Sequence, residues 1–381
     1  MPTEQIRRDP GTVPPSRSPG PATAVGAPDA AAPDSAAPDA AARARPVARM
    51  LLEAREAIAP GLRGVVDGLP GPLRLVAGYH IGWWDAEGGA APAEGRAAAG
   101  GKALRPALTL ACARAAGGDA TADVVLDAAL AVELVHDFSL LHDDVMDRDA
   151  TRRHRPAAWS VFGAGRAILA GDMLFTTAVR RLCGTELGAV LTDAVLELGA
   201  GQSADLAFED AHEVGLAECL AMAEGKTGAL LGVACELGAR AAGATAGAAG
   251  GYRAFGRQLG VAFQVVDDAL SLWGDPRRTG KPNGNDLAAR KKSLPVAFAL
   301  LSGTAAGREL SQLLSSTEDF DRSTAAHAAE LVERAGGRTW AAAEVDRRLG
   351  TALAALDSAG PTATGGAELR ALAALAAGRD H

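Results

Sequence analysis

The chain has 381 residues, 48% of them hydrophobic, and a formal net charge of −8. That length and apolar content suffice for a large buried core beside a tail, while the acidic balance excludes a general nucleic-acid binder, because phosphate backbones reward basic surfaces. Alanine dominates, aromatic residues make up only 4%, and no long run alternates apolar with polar residues, so the composition points to an all-α fold.

Residues 1 to 46 hold ten of the twenty prolines and repeat Ala-Pro-Asp from Ala27, Ala32 and Ala37. Low apolar bulk and recurrent proline predict an extended, disordered N-terminal tail, an arm suited to docking an unknown protein partner. Residues 47–381 form the helical domain. Its first helical stretch opens on Met50, Leu51, Leu52 and Ile58 and is expected to break at Pro60 and Pro70; a second covers Leu73 to Trp84. Trp83 and Trp84 are expected in the core or at a subunit interface.

Gly100-Gly-Lys-Ala-Leu-Arg-Pro106 places Lys102 and Arg105 at a helix start, where backbone N–H groups and the macrodipole also favour anions. A long helix from about Thr121 then delivers His136-Asp-Phe-Ser-Leu-Leu-His-Asp-Asp-Val-Met-Asp147. On a helix Asp143 and Asp147 share one face, about 5–6 Å apart at Cβ. Asp144 points to one side. Three carboxylates this close repel one another unless cations are present, and a dense oxygen donor set suits Mg²⁺ better than zinc. A basic run, Arg148-Asp-Ala-Thr-Arg-Arg-His-Arg155, follows as a loop whose arginines can grip diphosphate oxygens bidentately.

Helices are expected over Ala158 to Cys183, Glu186 to Phe208, Leu216 to Ala242 and Gly247 to Leu272. They carry Gly201-Gln-Ser-Ala-Asp-Leu206, Gly225-Lys-Thr-Gly228 and a second acidic cluster around Gln264, Asp267, Asp268 and Ser271. Beyond lie Gly280-Lys-Pro, with Lys281, and Arg290-Lys-Lys292. Apolar helices around Ser293 to Leu301, Ala325 to Ala335, Trp340 to Leu356 and Glu368 to Ala377 read as scaffold. Cys112, Cys183, Cys219 and Cys235 form no Cys-x-x-Cys pair and read as reduced core residues. With no secretory apolar run, and with the longest uncharged segment, Ser293 to Gly307, too short to span a bilayer, a cytoplasmic location without a transmembrane segment is expected.

From Leu73 to Leu301 this ordered set resembles the trans-isoprenyl diphosphate synthases, the polyprenyl synthetase family, and within it the short-chain geranylgeranyl and farnesyl diphosphate synthases. The resemblance implies an isoprenoid-synthase-type helical bundle around a central cavity, commonly a homodimer. It implies that Asp143, Asp147 and Asp267, supported by Asp144 and Asp268, hold three Mg²⁺ on an allylic diphosphate. Arg152, Lys226 and Lys281, with Thr227 and Gln264, match the groups that hold that substrate, and Lys102, Arg105, His136 and Arg153 match the isopentenyl diphosphate site. Asp143, Asp147, Lys226 and Asp267 would carry catalysis. Phe138 and Ser139, five and four residues before the first motif, match the chain-length positions, and their pattern suggests geranylgeranyl diphosphate, with farnesyl diphosphate the other end point. Ser271 stands where many relatives have a third aspartate, and the C-terminus lacks a strongly basic tail. The competing readings are a class I terpene cyclase and a non-catalytic prenyl-diphosphate-binding subunit.

Overall fold

The computed structural model describes residues 46–91, 101–211, 214–274, 287, 291–315 and 320–378. The tail before Pro46 and Lys281 lie outside the described residues. Helix α1 spans Val47–Asp67, α2 Gly71–Ile81, α3 Leu104–Ala115 and α4 Asp123–Met146. After a short hairpin, β1 Thr151–Arg152 and β2 Arg155–Pro156, come α5 Ala158–Phe162, α6 Ala164–Leu182 and α7 Glu186–Asp210. Next, α8 Leu216–Ala223 runs through a π-turn, Glu224–Gly228, into α9 Ala229–Ala241, and α10 follows at Ala246–Trp273. The chain ends in α11 Leu294–Leu301, α12 Ala305–Ser315, α13 Arg322–Arg334, α14 Gly337–Ser358 and α15 Ala363–Ala376. The fold is all-α, as composition implies.

Two helices form its axis. Ala128 to Val135 of α4 are buried without interruption, as are Ala229 to Ala239 of α9, so each is enclosed on all sides, and the polar groups within those stretches, Glu133 and Glu236, are buried with them. Around them pack α3, α6, α7 and α10. Leu272, Val296, Leu310, Leu331 and Val332 build a second, smaller core among α10 to α13. Among the described residues no helix is long and apolar enough to cross a membrane.

The departures from the sequence expectation have local causes. Helix α1 continues through Pro60, because Met50, Ala54, Ile58, Leu62, Val65 and Val66 form one buried stripe on both sides of it. An interior proline costs about 3 kcal/mol, and each buried large aliphatic side chain returns roughly 1.5–3 kcal/mol, so packing wins. The expected helix from Ala158 to Cys183 is instead two helices, broken at Gly163, whose φ of 88° and ψ of 149° suit glycine alone. Cys183 caps the end of α6 and is exposed, whereas the other three cysteines are buried. Helix α12 falls in a stretch read as plain scaffold; its stripe, Ala306 and Leu310, is too short to stand out. Trp83 and Trp84 are partly buried against the core, with the Arg63 guanidinium over both rings.

Candidate active site

The basic run after Asp147 is a hairpin, not a loop. Thr151 pairs with Pro156 and Arg152 with Arg155, leaving Arg153 and His154 as a two-residue turn with φ of 50° and 63°. Both residues therefore sit in the left-handed region that a type I′ turn demands and that side chains resist. Ala103 and Arg148 complete the described non-glycine residues with positive φ. All four flank the acidic end of α4 or the start of α3, where strained backbone is held in place by its surroundings. The hairpin is fixed from α2: the Tyr79 hydroxyl donates to the Pro156 carbonyl at 2.9 Å, and Arg155 donates to the Trp84 carbonyl at 2.8 Å.

This geometry turns Arg152 onto Asp144. Its Nε donates to both carboxylate oxygens at 2.7 and 2.8 Å, and a terminal guanidinium nitrogen lies 2.6 Å from Oδ1. Burial works against the Arg152 charge, and the Asp144 bond and charge outweigh it, raising the guanidinium above its ordinary value. Asp144 is 2% exposed. Asp147 pairs with Lys291 at 2.8 Å through Oδ2, while its buried Oδ1 has no hydrogen-bond partner among the described residues. Burial lifts the Asp143 carboxyl to about 6; Lys226 opposes the rise and Asp147 adds to it. Lys226, on the π-turn, donates to Asp205 of α7 at 2.5 Å. The first acidic motif thus offers a carboxylate with an orphaned oxygen and one whose charge is resisted by burial and a like neighbour, which is the condition a cation relieves.

The second motif on α10 is tied to the same π-turn. Thr227 donates to Gln264 Oε1 at 2.7 Å, Gln264 Nε2 donates to Asp268 at 2.8 Å, and the other Asp268 oxygen accepts the backbone N–H of Leu294 at 2.8 Å. Asp268 is thereby held by α11, and Asp267, one residue earlier, is exposed. Ser271 donates to the Asp268 carbonyl of its own helix at 2.9 Å.

Seven residues up α4 from Asp143, roughly 10 Å along its axis, a second group of cations converges. His136 is surrounded by Arg105, Arg153, Arg152 and His80; burial first, and then these charges, hold its imidazole well below the ordinary value. Burial likewise lowers Arg105 to about 10, against the pull of Glu133 and Asp137. Its Nε and that of Arg55 are buried without hydrogen-bond partners among the described residues. Glu133, 5% exposed, is pushed up to about 8, mainly by burial and then by Asp137. Arg153 reaches Gly101, where a Cβ would stand 2.9 Å from its guanidinium, and Arg55 donates to the Gly101 carbonyl. Lys102 is exposed at the turn before α3. Unmet cationic donors around a neutral imidazole make an anion seat. An expected result follows: in the ligand-free protein the His136 imidazole stays neutral well below pH 6.5, and a diphosphate ligand raises its pKa. Binding then takes up a proton, so affinity rises as pH falls through the bound-state value. An NMR titration with and without inorganic diphosphate reads it, and an unmoved His136 resonance would remove this residue from the seat.

Phe138 stacks on Phe175 of α6 at 5.1 Å and meets His142 edge-on at 4.7 Å. Ser139 is buried and its hydroxyl donates to the His136 carbonyl at 2.8 Å. Sequence reasoning gave no role to Asp205, Glu133, Asp137, Arg55 or Phe175, and noted Lys291 only within the cationic run Arg290-Lys-Lys292. Asp205 carried a signal, a carboxylate one turn after Gly201 in a polar run; the partners of the others come from distant segments.

The model of the polyprenyl synthetase family matches residues 90–332, well over half the chain and both acidic motifs. The chain belongs to the polyprenyl synthetase family. This family member is 45% identical over 307 residues to a (2E,6E)-farnesyl diphosphate synthase of Mycobacterium tuberculosis, covering 78% of this chain and 83% of the relative. It is also 45% identical over 321 residues to a geranylgeranyl diphosphate synthase of that organism, covering 82% and 90%. Among solved structures it resembles a polyprenyl synthetase from Streptomyces coelicolor at a TM-score of 0.81 and 42% identity, over 87% of this chain and 99% of that one. A geranylgeranyl pyrophosphate synthase from Corynebacterium glutamicum, solved with isoprenyl diphosphate and magnesium, gives a TM-score of 0.73 and 25% identity, over 88% of this chain and all of that one.

Proposed function

We propose that this protein is a short-chain prenyltransferase that joins isopentenyl diphosphate to an allylic diphosphate and releases geranylgeranyl diphosphate. The observation that carries the reading is the pair of charge centres on α4: an anion seat of Arg105, His136 and Arg153, and, two turns on, the carboxylates Asp143 and Asp147 with Lys226 beside them. Two diphosphates need two such places. A class I cyclase has no use for the first, and a non-catalytic subunit has no use for the intact acidic motif.

Asp143, Asp147 and Asp267 are the groups we assign to Mg²⁺, three ions in all, with Asp144 and Asp268, whose oxygens are held by protein groups, in supporting places; the Oδ1 of Asp147, orphaned among the described residues, and the all-oxygen donor set support that choice. Bound there, Mg²⁺ acts as a Lewis acid on the departing diphosphate. Lys226, Arg152 and Lys281 supply further positive charge at the same leaving group, with Thr227 and Gln264 alongside. Lys102, Arg105, His136 and Arg153 hold the second diphosphate so that the isopentenyl double bond meets the allylic carbon. The apolar wall of α4 and α6 excludes water that would trap the carbocation as an alcohol. We assign the floor to Phe138, braced by Phe175, because Ser139 is occupied with its own helix. A cytoplasmic homodimer completes the reading: Leu169 of α6 and Leu196 of α7 are 54% and 73% exposed, the surface a second copy would cover. The tail, 1–46, remains the arm proposed for an unidentified partner.

The test uses the full chain with isopentenyl diphosphate and, separately, dimethylallyl, geranyl and farnesyl diphosphates, with Mg²⁺ or a chelator, followed by dephosphorylation and mass spectrometry. A chelator-sensitive C20 alcohol is expected, from a protein that light scattering weighs as a dimer. A C15 end point would overturn the product assignment, a monomer the homodimer, and cyclic hydrocarbons or no elongation the prenyltransferase reading.

A further inference from the structure

The π-turn that carries Lys226 and Thr227 is gripped along one face of α7. Glu197, Gly201 and Asp205 recur there every four residues, so they share that face. Asp205 holds Lys226 at 2.5 Å. At Gly201 the backbones touch: a Cβ there would lie 2.3 Å from the Lys226 nitrogen, and one on Gly225 would lie 3.0 Å from the Glu197 carbonyl. At the third point Arg257 of α10 bridges the two elements. Its Nε donates to Glu224, the first residue of the π-turn, at 2.5 Å, and its Nη1 donates to Glu197. The bridging arginine also faces the turn from the correct side of α10, because Gly260 touches Gly228 and Gln264 accepts from Thr227 one and two turns further on.

We propose that Arg257 is a positioning residue for the allylic diphosphate. It is not one of the groups assigned to either diphosphate. By holding Glu224 against Glu197 it keeps the extra residue of the π-turn in place, and that extra residue is what aims Lys226 at Asp205 and Asp143 and Thr227 at Gln264. An α-helical turn here would rotate both side chains by about 100°. The role rests on the prenyltransferase reading, since it presumes that Lys226 meets an allylic diphosphate. Neighbouring Arg253 supplies an internal control: it pairs with Glu197 at 2.6 Å and Glu236 at 2.9 Å, and so shares the ion network without holding the π-turn.

The experiment compares wild type with Arg257→Met, Glu224→Gln and Arg253→Met in full-length protein. Arg257→Met and Glu224→Gln are each expected to lower kcat/KM for the allylic substrate about 10- to 100-fold, the scale of a displaced positioning group. KM for isopentenyl diphosphate should stay within about twofold, because Arg105, His136 and Arg153 stand on other elements, and Arg253→Met should change neither. Calorimetric binding of farnesyl diphosphate with Mg²⁺ should weaken in the first two variants alone. Equal losses for both substrates, an effect of Arg253→Met as large as that of Arg257→Met, or unchanged farnesyl diphosphate binding would overturn the positioning role. If Arg257→Met loses its helical circular dichroism, Glu224→Gln, which leaves the Arg257–Glu197 bond in place, decides. A wild-type protein that binds farnesyl diphosphate but does not elongate it would count against the prenyltransferase reading and leave the binding comparison to judge Arg257.

Discussion

Replacing Asp143 with alanine is expected to lower turnover by at least about 10³-fold, the upper range for removing one preorganised charge from a transition-state site, while the helical circular dichroism spectrum stays intact. The fold does not need this carboxylate. It makes no hydrogen bond from its side chain to another described residue, and burial opposes its ionisation more than the attraction of Lys226 favours it, so the alanine variant removes an unfavourable buried charge when no ligand is present. An unchanged or slightly raised melting temperature together with a collapsed kcat is therefore the expected pattern. Unfolding, or an active variant, would refute the assignment of Asp143 to the metal-bearing set.

Arg152→Met should behave in the opposite way, with stability as the larger casualty. Asp144 is almost wholly enclosed and receives three short contacts from Arg152. Stripping a buried carboxylate of its partner costs about 3–5 kcal/mol, which for a chain of this size corresponds to a melting temperature lower by roughly 4–7 °C. Removing both charges, in Asp144→Asn with Arg152→Met, should recover most of that loss, because no uncompensated ion remains. Thermal unfolding of the two single variants and the double checks this. A single Arg152→Met variant as stable as wild type would mean that the pair contributes nothing to the folded state.

Much of the site was legible because its chemistry is concentrated in short runs. The carboxylates of α4, the Lys226-Thr227 pair and the Gln264 to Asp268 row each announce themselves within five residues, and helical periodicity is enough to put each on one face. What stayed hidden depended on contacts between distant parts of the chain. Lys291 meets Asp147 across 144 positions, and the adjacent Lys292 turns away to the Phe208 carbonyl at the end of α7, so two neighbouring cations that look alike in sequence do unlike jobs. The hairpin was invisible as well, since Arg153-His154 is no Asn-Gly turn and its left-handed backbone is imposed by Tyr79 and Arg155. The π-turn escaped for a related reason: it adds no proline or glycine signal beyond those an ordinary helix tolerates, and what holds it, the close approach of Gly201 to Lys226 and the Arg257 bridge, comes from other helices. Pro60 misled in the other direction, because a local breaker was overruled by a stripe that spans it.

The glycines around the π-turn also bear on which mutations the protein can accept. A methyl group at Gly201 or Gly260 would stand 2.3 or 2.6 Å from backbone atoms of a neighbouring element, and backbone cannot step aside as a side chain can. Neither glycine carries a side chain to offer a substrate, yet even alanine at these positions displaces the turn that bears Lys226 and Thr227. Random drift is thus barred from two codons whose products take no part in the reaction, and a mutational scan scored only on activity would mistake them for catalytic residues.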